Sequence, residues 1–125
     1  MTITLHCMGE SGNAYKVALA LELAGLDWKP IFVDFFGGET RSDEFRSEVN
    51  VMGEVPVMTD GETVLSQSGV MLQYLTDKTG KFGGAAGEHL DVLRWVLWDN
   101  HKLSSQVGLL RFQNFVRSSD ARLEK

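Results

Sequence analysis

The handover at residues 2–25 constrains the fold more than any other stretch of this chain. "TITLHC" (2–7) is short and rich in β-formers, and reads as a first strand. "GESGNAYKV" (9–17) follows, and puts Ser11, Gly12 and Asn13, all turn or cap formers, where the strand gives way to a helix. The helical pattern then runs from about Asn13 to Gly25, a residue suited to a left-handed C-terminal cap. A strand, a capped helix and a second strand in such quick succession point to an α/β domain.

The rest of the first 80 residues extends that order. "DWKPIFVDF" (27–35) reads as a second strand, with Pro30 arguing for an edge position or an early kink. "GGETRSDEF" (37–45) is a loop leading into a short helix over 41–48. "VPVMTDGETVLS" (55–66) reads as two strands joined by a tight turn at Asp60-Gly61. "QSGVMLQYLTDKTG" (67–80) reads as a helix closed by Gly80. The order is β-α-β-α-β-β-α.

"KFGGAAGE" (81–88) has the composition of a linker. Beyond it, residues 88–116 form one long helical pattern, with Leu90, Leu93 and Leu97 on one stripe and Trp95 and Trp98 broadening the face. "RSSDARLEK" (117–125) is polar, and reads as a tail or as the start of another helix. In the first helix, 17–26 carries a single charge, Glu22. A helix apolar round most of its circumference is buried on more than one side, and the long helix is the candidate for the second cover.

Composition excludes several functions. The chain of 125 residues is 43% hydrophobic and 23% charged, as in a soluble globular protein. Its net charge is −5, from 12 Lys and Arg against 17 Asp and Glu, which disfavours nucleic-acid binding. No apolar run reaches the roughly 18 residues of a membrane span, and the N-terminus lacks the pattern of a signal peptide. A single cysteine, Cys7, permits no internal disulfide, so a reducing, cytoplasmic setting is expected. His6, His89 and His101 are too widely spaced for a metal site, and none is expected.

Read by chemistry alone, the polar residues stay ambiguous. Ser11 and Asn13 are either plain N-caps or hydrogen-bond donors at a helix end. "SQS" (66–68) offers the N–H groups of a helix start and the Ser68 hydroxyl, a ready anion site or again a cap. Cys7 is either a small buried apolar residue or a redox thiol, although a second cysteine is lacking. Arg94, Trp95, Trp98, Asn100 and His101 are either a packed stripe or the lining of a pocket or a subunit contact.

"SGNAYKV" after the first strand, "NVMGEVPVM" before the hairpin and "LSQSGVMLQYL" opening the last helix, in this order, resemble the N-terminal domain of glutathione S-transferases, of the bacterial type with a serine at the active site. "LRWVLWDNHKLSSQ" resembles the first helix of their all-α second domain. The resemblance implies a thioredoxin-like βαβαββα domain over 1–80, a linker at 81–87, and a truncated start of an all-α domain at 88–125.

It also implies chemistry. Glutathione, the cosubstrate, must lose its thiol proton to attack an electrophile. Lowering a thiol pKa by about two units takes roughly 2.7 kcal/mol of preferential thiolate stabilisation. By resemblance Ser11 is the catalytic donor to that sulfur and Asn13 a second one, with Gly12 letting the backbone approach closely. Gln67 and Ser68 hold the γ-glutamyl end. Val55 pairs its backbone with the tripeptide beside a cis Pro56, and Glu54 lies near enough to repel a carboxylate. The partners implied are glutathione, a small apolar electrophile, and a second copy in a homodimer formed through the long helix and the hairpin. A non-catalytic glutathione-binding or protein-interaction module, and a Cys7-dependent thiol transferase, are the alternatives on the same fold.

Overall fold

The computed structural model describes residues 2–117. These divide into two compact units between Gly83 and Gly84. The first holds strands β1 (Ile3–Cys7), β2 (Trp28–Phe32), β3 (Val57–Asp60) and β4 (Thr63–Ser66), and helices α1 (Gly12–Ala24), α2 (Asp43–Glu48) and α3 (Ser68–Thr79).

The strands form one sheet in the order β2-β1-β3-β4. β1 and β2 are parallel, with Leu5 opposite Pro30, and α1 supplies the crossover that parallel strands require. β3 runs antiparallel to β1, and β4 antiparallel to β3. Pro30 therefore sits on an edge strand, where its missing N–H costs least. The second strand stops at Phe32, short of the expected 35. The hairpin loop is Gly61-Glu62, since Asp60 pairs with Thr63, one residue later than the expected turn.

Period-two alternation along β1 sends Ile3 and Leu5 to one face. There they pack with Met58, with Val17 and Leu21 of α1, and with Met71 and Leu75 of α3. This is the core of the unit, and it fixes α1 and α3 side by side on the sheet. Gly25 caps α1 at φ 71°, in the left-handed region, and its amide donates to the Glu22 carbonyl at 3.0 Å. Leu19 and Leu23, on the other faces of α1, are 42% and 63% exposed.

In the second unit a helix begins with α4 (His89–Trp98) and continues without a break to Arg117. It widens into π-type turns at Asp99–Ser104 and Phe112–Arg117, on either side of α5 (Ser105–Arg111). Trp95 and Trp98 meet edge to face at 5.7 Å, and the Arg94 guanidinium lies 5.5 Å from the Trp95 ring centre. Leu90, Leu97, Leu109 and Leu110 are exposed along it. Residues 118–125, where the sequence leaves a tail or a further helix open, lie outside the described residues. Among the described residues, no helix is long and apolar enough to cross a membrane.

Candidate functional site

Two helix N-termini meet at one edge of the first unit. Ser11 is the N-cap of α1: its Oγ accepts from the Ala14 amide at 3.1 Å. The cap reading is thus realised, but it uses only an oxygen lone pair, and the hydroxyl proton remains for donation. Ser11 is half-buried. No side chain or backbone atom approaches the position of a Cβ on Gly12, so the first turn of α1 opens onto unfilled space. That turn exposes N–H groups and the positive end of the helix dipole.

The second N-terminus is that of α3. Ser68 is only 5% exposed, and its hydroxyl donates to the Asn13 side-chain carbonyl at 3.4 Å. This contact ties the first turn of α1 to the first turn of α3. The side-by-side packing of the two helices through Val17, Leu21, Met71 and Leu75 makes it possible. Gln67 precedes α3 with φ 71°, unusual for a residue with a Cβ and costing of order 1–2 kcal/mol. Its carbonyl accepts from Val70 and Met71, so the strained residue starts the helix.

The segment 50–56 borders these ends. The Val55–Pro56 bond is cis, as the resemblance implies. Val55 lies outside the ladder, which ends at the Val57–Ser66 pair. Glu54 is exposed, and the Gln67 amide nitrogen donates to its Oε2 at 3.3 Å. The same nitrogen donates to Met52 Sδ at 3.8 Å. Gln67 is therefore turned toward Glu54 and Met52.

One residue here was not singled out from sequence. Asn50, 8% exposed, donates from Nδ2 to the Glu54 carbonyl at 3.0 Å and accepts the Met52 amide at 3.1 Å. Asn50 thereby fixes the turn carrying Met52 and Glu54. The available signal was an Asx-turn, Asn followed two residues later by the amide it binds, in "NVMGE".

Cys7 sits at the end of β1 and packs partly against the core. Burial pushes its thiol up, partly offset by a hydrogen bond with the Ile31 backbone. That is the reverse of what a reactive thiolate needs. Burial also pushes His6 down against the opposing pull of Glu39, and its buried Nδ1 lacks a partner among the described residues. Among the described residues, no group of three His, Cys, Asp or Glu side chains is placed to hold a metal ion.

Residues 1–77 match the family described as Glutathione S-transferase, N-terminal domain. Glutathione S-transferase Z2 of Arabidopsis thaliana is 36% identical over 76 residues, covering 61% of this chain and 34% of that protein. Disulfide-bond oxidoreductase YfcG of Escherichia coli (strain K12) is 34% identical over 105 residues, 77% of this chain and 48% of that protein. Among solved structures, a glutathione transferase homolog from Lodderomyces elongisporus with two GSH per subunit is similar at a TM-score of 0.83 and 29% identity. That likeness covers 92% of this chain and 57% of the other. The chain thus spans about a third to a half of these curated relatives. Its sheet order and helix placement are those of a thioredoxin-like fold followed by a helical segment. By the match over its first 77 residues, this chain belongs to the glutathione S-transferase family.

Proposed function

We propose that the protein binds glutathione across the N-terminal ends of α1 and α3 and activates its thiol for attack on an apolar electrophile. The observation that carries this reading is the Ser68–Asn13 contact, which joins two helix N-termini. One end suits a thiolate and the other a carboxylate, the two anions that a γ-glutamyl-cysteinyl peptide presents together. Ser11 donates its remaining proton to the sulfur, and the Asn13 amide is the second donor. Val55 pairs with the extended backbone, and Ser68 with the amides of its turn holds the γ-glutamyl carboxylate. The glutathione named in the structural relative supports the ligand. Catalysis then consists of thiolate stabilisation and proximity.

Around this reaction we place a cytoplasmic homodimer built on the long helix and the hairpin, with Arg94, Trp95, Trp98, Asn100 and His101 facing the electrophile or the second copy. We likewise take 1–80 as the glutathione-binding domain, 81–87 as a linker and 88–125 as the start of a helical domain.

The test is turnover of a chromogenic electrophile by Ser11→Ala and Ser11→Gly. Loss of the cap costs about 1 kcal/mol in the alanine variant but only a few tenths in the glycine variant. Both variants are expected to lose at least tenfold in kcat/KM, roughly 1.4 kcal/mol. A loss that instead tracks thermal stability, with the glycine variant active, would leave Ser11 as a cap only.

A second reading has one observation in its favour, the relative named as a disulfide-bond oxidoreductase. Here the bound glutathione thiolate attacks a disulfide substrate, giving a mixed disulfide and releasing a thiolate. Cys7 packs partly against the core and burial raises its thiol, which favours the bound glutathione as the nucleophile. Cys7→Ser is expected to leave reduction of a small disulfide by glutathione unchanged.

A further inference from the structure

The chain holds a single Asp-Gly pair, Asp60-Gly61, and no Asn-Gly pair. At such a pair an aspartate can react with its own main chain, because a glycine amide has no side chain to shield it. The reaction is a condensation. The Gly61 nitrogen bonds to the Asp60 carboxyl carbon and gives up its proton, and the carboxyl hydroxyl leaves with that proton as water. The product is a five-membered succinimide. Water then opens either of its two carbonyls. One opening restores aspartate, and the other leaves isoaspartate, with the main chain rerouted through the side-chain carbons. Water is the only molecule released and consumed.

The fold withholds both requirements of that condensation. The Asp60 side chain must turn toward Gly61, and its carboxyl must carry a proton to leave as water. Instead Asp60 Oδ2 accepts from the Tyr74 hydroxyl at 2.6 Å and lies 2.9 Å from the Lys78 ammonium, both on α3. The side chain is thus drawn to the helix, with 11% of it exposed. The Tyr74 hydrogen bond, then the Lys78 one, keeps the carboxyl ionised by holding it below its ordinary range. Gly61 stands at φ 61° in the two-residue loop that closes the hairpin, and the Asp60–Thr63 pair pins the residue before it. We propose that Asp60-Gly61 is a modification site for isoaspartate formation, kept closed by Tyr74 and Lys78 and opened when their grip is released. The isoaspartyl main chain is one carbon longer, so the Asp60–Thr63 pair loses its register. From that pair β4 runs directly into Gln67 and the start of α3.

Ageing of the full chain in mildly acidic buffer tests this, with isoaspartate at residue 60 counted by electron-transfer mass spectrometry. A synthetic peptide of residues 57–66 supplies the rate without the fold. The wild-type chain is expected to isomerise at least about tenfold more slowly than the peptide. Tyr74→Phe is expected to speed the reaction in the folded chain about fivefold, the scale of one hydrogen bond, and Lys78→Gln about twofold, the scale of one exposed ion pair. Gly53→Ala weakens the fold but leaves the grip intact, and is expected to keep the wild-type rate. A wild-type chain that reacts at the peptide rate would overturn the proposal. So would Tyr74→Phe and Lys78→Gln variants that keep the wild-type rate, or a Gly53→Ala variant that accelerates as much as they do. Lys78 is 40% exposed, so its replacement decides the matter even if Tyr74→Phe fails to fold.

Discussion

A single methyl group, added at two different glycines, is expected to have opposite effects. Gly12 lies in the first turn of α1 with ordinary φ and nothing near its Cβ position. Gly12→Ala restricts the unfolded chain and adds helix propensity, so it is expected to stabilise the fold by about 0.5 kcal/mol. Gly53 has φ 66°, and a Cβ there would stand 2.8 Å from the Thr40 carbonyl oxygen. Gly53→Ala is expected to cost about 2 kcal/mol through backbone conformation and the clash. Urea unfolding of both variants checks the pair, and a destabilised Gly12→Ala would mean that something fills the space beside α1. Of the residues proposed for the site, Ser11, Asn13, Val55, Pro56 and Ser68 were legible by type and spacing together with the family resemblance. Gln67 was legible as a position but not as a contact. Its positive φ is a property of the turn from β4 into α3, and glutamine carries no local signal for it.

At the scale of elements, the hairpin and α3 are joined by a polar clip. The Tyr74 hydroxyl donates to Asp60 Oδ2 at 2.6 Å, and the Lys78 ammonium lies 2.9 Å from the same oxygen. The Tyr74 hydrogen bond, then the Lys78 one, holds the Asp60 carboxyl below its ordinary range. The bond to Asp60 raises both Tyr74 and Lys78. A carboxyl with a lowered folded pKa stabilises the fold fully above its unfolded value, and that stability is lost as the pH falls through the folded value. The raised phenol and ammonium contribute below their unfolded values and lose that contribution as the pH rises through the folded ones. Tyr74→Phe is expected to cost about 1 kcal/mol at neutral pH, with the gap to the wild type narrowing below about pH 4. Denaturant titrations at pH 7 and pH 3 check this, and a gap that widens in acid would contradict it. The element order was legible because caps and glycines mark its borders, Ser11 and Gly25 above all. The ends of β2 and the hairpin loop were not, because strand ends depend on the ladder. Pairing with β1 decides that β2 stops at Phe32.

In the whole molecule, one packed unit serves one chemical role. Burial of Ile3, Leu5, Met58 and their helical partners holds α1 and α3 parallel enough for their first turns to touch through Asn13 and Ser68. Periodicity in the sequence put Val17, Leu21 and Ala24 on one face of α1 and left the exposure of Leu19 and Leu23 open, because it says which side is apolar and not what covers it. The central claim is that these two helix ends share one ligand. The most direct measurement is a crystal structure of the chain with glutathione. The sulfur is expected within about 3.5 Å of Ser11 Oγ and a ligand carboxylate at hydrogen-bond distance from the first turn of α3. A sulfur beside Cys7, or a tripeptide bound away from both helix ends, would contradict it.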